Sequence, residues 1–142
     1  MSAWTQYGLR LDIALAVVME VAVLRLHRAE TAAEQAEAVS FNHDLWRVAS
    51  SLAPSAPVAE DRDALSVAAH LVAAGGKTAE QLMEINRRFA RLLAGRAATD
   101  GALGHILDRW RAARHSGADM EFGPWLLGLL TGFPADDRAL AA

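Results

Sequence analysis

Glu20, His27, Glu30 and Glu34 recur at helical intervals near the start of this chain. Carboxylates and imidazoles spaced in that way can ligate a metal, and di-metal centres in helical proteins use Glu-x-x-His on two helices. No Glu-x-x-His occurs anywhere in the sequence, so a solvated acidic face is the better account and no metal ligand is assigned. His70 lies in Ala69-His70-Leu71-Val72-Ala73-Ala74-Gly75-Gly76-Lys77, a setting that invites a histidine phosphotransfer reading. Domains of that kind place a lysine and a small residue within the turn after the histidine, whereas the only lysine here, Lys77, follows two glycines. A histidine near a helix end, where the negative pole favours it, is the simpler reading. Arg109, Trp110, Arg111, Arg114 and His115 form a basic patch with one aromatic, the composition that touches phosphates and stacks bases. Positive side chains belong in a last helical turn for dipole reasons alone. There is no Ser/His/Asp set, phosphate-cradling glycine loop or paired-carboxylate motif, and no catalytic residue and no cofactor are expected.

The elements that would carry these side chains are bounded by composition. The 142 residues are 53% hydrophobic and only 6% aromatic, enough for one compact core and short for two. The net charge of -3 gives no global field favouring nucleic acid. Without a single cysteine there is no disulfide framework, thiolate site or thiol nucleophile. The N-terminus has no basic leader followed by an apolar run and a small-residue cleavage site, which reads against a secretory signal. Leu9 to Leu26 is the most apolar stretch, but Arg10, Asp12, Glu20 and Arg25 interrupt it. Ionised groups inside a bilayer are costly, so it is read as a buried helix and not as a membrane span.

Periodicity predicts helices throughout. A long first helix runs from about Trp4 to Gln35, with Asp12, Glu20 and His27 as a narrow polar stripe, and after His27 it emerges into solvent or breaks near Thr31. A second includes Val39 to Leu52, where Phe41, Leu45, Val48 and Leu52 form an apolar face. Pro54 and Pro57 make 53–61 a connector. Glu60 or Asp61 then caps a third helix through Ala64, Leu65, Val67, Ala68, Leu71 and Val72, ended by Gly75-Gly76. Thr78 and Gln81 fit a capping box opening a fourth helix, which Gly95 stops. Asp100 opens a fifth that Gly117 ends. Phe122 to Phe133 is a short apolar segment punctuated by Gly and Pro, too apolar to stay exposed, and 136–142 reads as a tail. It folds back over the helices or docks on another chain with Trp125, Leu129 and Phe133 on one face. No alternating run long enough for a strand is present. The expected fold is all-α, a single domain over 1–142 built as a compact bundle of four to five antiparallel helices.

Two asparagines stand where helical propensity would not choose them, in Asn42-His43-Asp44-Leu45-Trp46 and in Leu82-Met83-Glu84-Ile85-Asn86-Arg87. Asparagine competes with the helix backbone for hydrogen bonds, so each needs a cap, a partner or a packing role that outweighs the cost. The pair resembles the flagellar biosynthesis regulator FlaF family, with its Asn-x-x-Leu-Trp segment followed some way on by an Ile-Asn segment and a helix ending in Gly. The similarity runs from about residue 39 to 95.

That resemblance implies a non-enzymatic, cytoplasmic helical adaptor that binds flagellin before export and regulates flagellum assembly. It implies that Leu45-Trp46 and Ile85-Asn86-Arg87 hold neighbouring helices in a fixed arrangement and leave a groove for a flagellin segment. The candidate partner-binding residues are Asn42, Leu45, Trp46, Ile85, Asn86 and Arg87, joined by Trp125, Leu129 and Phe133. Trp46 equally suits an ordinary core position, since tryptophan buries a large area while its one donor needs a partner. A self-associating scaffold or regulatory module is the competing expectation, ahead of phosphotransfer and nucleic-acid binding.

Overall fold

The computed structural model describes residues 5–6, 9–96, 102–117 and 121–141, with side chains for 10–95, 104–117 and 121–131. Its elements are helical apart from one minimal ladder. β1 (Thr5–Gln6) pairs antiparallel with β2 (Leu9–Arg10), Thr5 opposite Arg10 and Gln6 opposite Leu9. Six α-helices follow among the described residues: α1 (Leu11–Arg28), α2 (Ala32–Leu52), α3 (Ala59–Ala73), α4 (Ala79–Arg96), α5 (Ala102–His115) and α6 (Phe122–Ala141).

The first helix therefore starts later than its periodicity predicts, because Arg10 is extended and occupied by the ladder. Asp12 is no part of an exposed stripe. It is buried, with one carboxylate oxygen accepting the Ile13 amide at 2.9 Å and the other accepting Arg10 Nη2 at 3.1 Å. Eleven of the eighteen residues of α1 are buried, around most of its circumference, which only a helix enclosed by others can satisfy. It packs against α2, α4, α5 and α6.

The predicted break near Thr31 is present as a reciprocal cap. Glu34 donates its amide to Thr31 Oγ1 at 3.1 Å, and the Glu34 carboxylate accepts the Thr31 amide at 3.1 Å. α2 ends in a 3-10 turn, Ala53–Ser55, containing Pro54. α3 is bounded by Val58, without a side-chain cap, so Glu60 and Asp61 lie inside its first turn and not at its cap. They still face the positive helix pole there. Gly75 and Gly76 adopt φ of 77° and 78°, the left-handed conformation that ends α3. The Thr78/Gln81 box opens α4 as expected, with 2.9 and 3.2 Å bonds.

Gly95 does not stop α4, which runs one residue further. An exposed helical glycine costs ~1 kcal/mol, less than the full burial of a leucine such as Leu93 contributes. The predicted opening of α5 at Asp100 lies outside the described residues; its end at Gly117, φ 101°, matches. The largest difference is α6. What reads as a short apolar segment and a tail is one helix of 20 residues. Pro124 sits in its first turn, where a missing N–H removes no intrahelical bond, and the Trp125 amide donates to Glu121 O at 3.0 Å. Leu126, Leu127 and Leu130 are buried against α1 and α2, so this segment covers its own chain. Among the described residues no helix is long and apolar enough to cross a membrane.

Candidate functional site

Asn42 projects from the middle of α2 and Asn86 from the middle of α4, and both are fully buried. Trp46 lies one turn beyond Asn42 on the same face of α2, with only 2% of its surface exposed. The indole Nε1–H can only donate, and it donates to Asn86 Oδ1 at 2.8 Å. That bond orients the Asn86 amide, whose Nδ2 then donates to Asn42 Oδ1 at 2.6 Å. Asn42 Nδ2 is left buried with no acceptor. Phe89, one turn after Asn86 on α4, meets the Trp46 ring edge to face at 5.4 Å and 83°. A one-way relay of donors and a ring contact thus lock α2 to α4 in one register. In a low-dielectric core such a chain is strongly orienting, because any slip orphans a buried polar group.

The locked pair forms one side of a wider feature. α3 leaves α2, and α4 returns beside it after the link 74–78, but α3 and α4 touch little. Between them lies an open apolar groove of about 940 Å³. Its α3 wall carries Val67 and Leu71, 61% and 48% exposed. Ile85, Phe89 and Leu92 of α4 form its other apolar wall, with Asp63, Glu84, Arg88 and Arg91 along the rims. Only three large apolar side chains among the described residues are markedly exposed, and this groove holds two of them. Phe89 joins groove to lock, since the same ring touches Trp46.

The expected site residues fall into three groups. Asn42, Leu45, Trp46 and Asn86 are enclosed and come together as the lock, with Leu45 in the core beside them. Ile85 is half-buried in the groove, and Arg87 is exposed next to it on α4. Trp125 and Leu129 are half-buried on α6, away from the groove; the side chain of Phe133 lies outside the described residues. Trp125 belongs to an aromatic set, stacked on Phe122 at 6.2 Å, which in turn meets Trp110 at 5.3 Å. Val67, Leu71 and Leu92 belong to the apolar helical runs that periodicity predicts, but they are not among the expected partner-binding residues. The available signal is width: Ala64, Val67 and Leu71 add a second apolar stripe beside Leu65, Ala68 and Val72, more than one packed face requires.

The other chemical candidates are placed as follows. Glu34 is engaged in its capping box, and the Thr31 and Glu30 amides it accepts hold its carboxyl below the usual range. Among the described residues no three His, Asp or Glu side chains gather as a metal site. His70 is exposed, with Nδ1 2.9 Å from the Ser66 carbonyl, a geometry that puts the proton on Nδ1. In the α5 patch Arg111 pairs with Asp108 at 3.3 Å and Arg114 lies 5.1 Å over Trp110.

These features define a helical protein in which a buried amide relay ties two helices together beside an apolar groove. Compared with family models, curated proteins and solved structures, the chain matches none of them.

Proposed function

We propose that this chain is a helical adaptor that binds flagellin in the cytoplasm before export, in the manner the FlaF-like segments imply, and that the α3–α4 groove receives a flagellin helix. The observation that carries the reading is that the two segments of that resemblance, 40 residues apart at Trp46 and Asn86, are joined by a buried hydrogen bond of 2.8 Å directly behind the groove. A groove whose α4 wall is braced in this way, and whose α3 wall packs on α2, loses little conformational entropy on accepting a ligand. Recognition then rests on apolar side chains filling the trough, with polar contacts at its rim. Binding and shielding, with no bond made or broken, are the proposed activity.

Size-exclusion chromatography of the chain mixed with stoichiometric flagellin tests this. The expected result is co-elution, lost in Val67→Asp/Leu71→Asp, a variant altered at two exposed positions whose circular dichroism and thermal midpoint stay unchanged. Failure of the native chain to co-elute with flagellin defeats the proposal. A scaffold that pairs with its own copy instead elutes at twice its mass without any partner.

A further inference from the structure

The groove's rim charges are not evenly distributed along its length. On the α4 wall Glu84, Arg88 and Arg91 follow one another at intervals of four and three, a single stripe that runs from acidic to basic toward the helix C-terminus. The α3 wall contributes Asp63, which the short link between the helices sets toward the Arg88–Arg91 end, while Leu71 faces the Glu84 end. The near end therefore carries one negative charge and the far end a net positive one. Among the described residues none of these four groups is held in an ion pair or side-chain hydrogen bond. They are available to an occupant.

A helix has its own preferred polarity. Acidic side chains favour its first turn and basic ones its last, because of the unsatisfied amides and carbonyls there. We propose that the groove takes an amphipathic helix in one direction, antiparallel to α4, with the occupant's acidic N-terminal turn against Arg88 and Arg91 and its basic C-terminal turn against Glu84. Val67, Leu71, Ile85 and Leu92 receive apolar side chains spaced i, i+3 or i+4, and i+7 on the occupant. The apolar walls supply affinity and tolerate either direction; the rim sets direction, since the reverse orientation places Glu84 against the acidic turn and both arginines against the basic one. This inference rests on the groove being the partner site, and it adds the partner's charge pattern and orientation.

Two synthetic peptides of identical composition test it: both carry leucines at i, i+3, i+4 and i+7, one with glutamates first and lysines last, the other reversed. Binding to the full chain is read by fluorescence anisotropy at low salt. A glutamate-first peptide is also the more helical one when free, so the decisive comparison is with the variant Glu84→Arg/Arg88→Glu/Arg91→Glu. The native chain is expected to prefer the glutamate-first peptide on the order of tenfold, the sum of a few surface pairs gained in one case and opposed in the other. In the charge-swapped variant the preference inverts or disappears. Because the chain has no cysteine, Glu60→Cys and Ala74→Cys, exposed positions at the two ends of α3 outside the groove lining, each accept one spin label, and the N-terminal half of the bound peptide is expected to broaden with the first and not the second.

Equal affinity of both peptides, a preference unchanged by the charge swap, or broadening in the opposite sense overturns the inference, as does a homodimer that buries Val67 and Leu71. Flagellin co-elution can survive the first three, in which case the groove still takes flagellin but its rim does not set the direction; co-elution beside such a homodimer places flagellin elsewhere on the chain. Loss of flagellin binding with the peptide preference intact instead defeats the proposed partner and leaves the directional groove standing.

Discussion

Replacing Asn86 and Asn42 by alanine, one at a time, separates a hydrogen-bonded lock from two merely buried amides. Both are fully enclosed mid-helix positions, so the vacated volume and the gain in helix propensity are similar and largely cancel in the comparison. The polar consequences differ. Asn86→Ala removes the acceptor of the Trp46 indole and the donor to Asn42 Oδ1, orphaning two buried groups. Asn42→Ala orphans only Asn86 Nδ2, and at the same time deletes Asn42 Nδ2, which is already unpaired. At about 1–3 kcal/mol for each orphaned group, and a net difference of two such groups between the variants, Asn86→Ala is expected to be the more destabilising by roughly 2–6 kcal/mol. In urea unfolding, at a slope of about 2 kcal/mol/M that stays unchanged, the midpoint falls lower by about 1–3 M. Equal midpoints for the two variants, as would follow if water entered the Asn86 cavity and paired the indole, refute the one-way relay. So does a larger loss for Asn42→Ala.

Glycines on α6 give a second contrast. A Cβ on Gly123 comes within 2.6 Å of Val21 Cγ1, and a valine on a helix has little rotamer freedom to yield. Gly123→Ala is expected to cost about 1–3 kcal/mol by overpacking, recovered in large part by Val21→Ala, whereas Gly128→Ala meets open space and gains about 0.5–1 kcal/mol; thermal midpoints check both. Thr78→Ala removes the hydroxyl half of the α4 capping box and is expected to cost about 1 kcal/mol, read from urea midpoints and from faster amide exchange at Gln81. The carboxyl of Glu34 is depressed from its ordinary 4.5 first by the Thr31 amide and then by that of Glu30. Its contribution is thus complete above the unfolded value and is lost as pH falls through the lower folded one, so the first turn of α2 frays in acid. Amide chemical shifts of Thr31 and Glu34 followed below pH 4.5 report this, and they are expected to lose their pH dependence in Glu34→Gln.

Much of the helical layout is legible from local pattern. Thr78 with Gln81, and the left-handed glycines 75, 76 and 117, mark their helix ends because caps and positive φ depend on a few adjacent residues. α6 was harder to read, since Gly123, Pro124 and Gly128 break the local propensity signal while the burial of Leu126 and Leu130 against other helices overrides it. Gly95 misleads in the same way. A propensity cost is visible in the sequence, and the packing that exceeds it is not.

The amino-acid order alone determined that this chain is helical and cysteine-free, and that two asparagines inside apolar helical runs require partners. Those properties follow from side-chain chemistry and a period of 3.6 residues. Only the tertiary structure decided that the two asparagines bond each other, with Trp46 donating to Asn86, and that Val67 and Leu71 remain uncovered while Leu126, Leu127 and Leu130 do not. Periodicity states which residues share a face, but which faces meet depends on how helices distant in sequence divide a limited core among themselves.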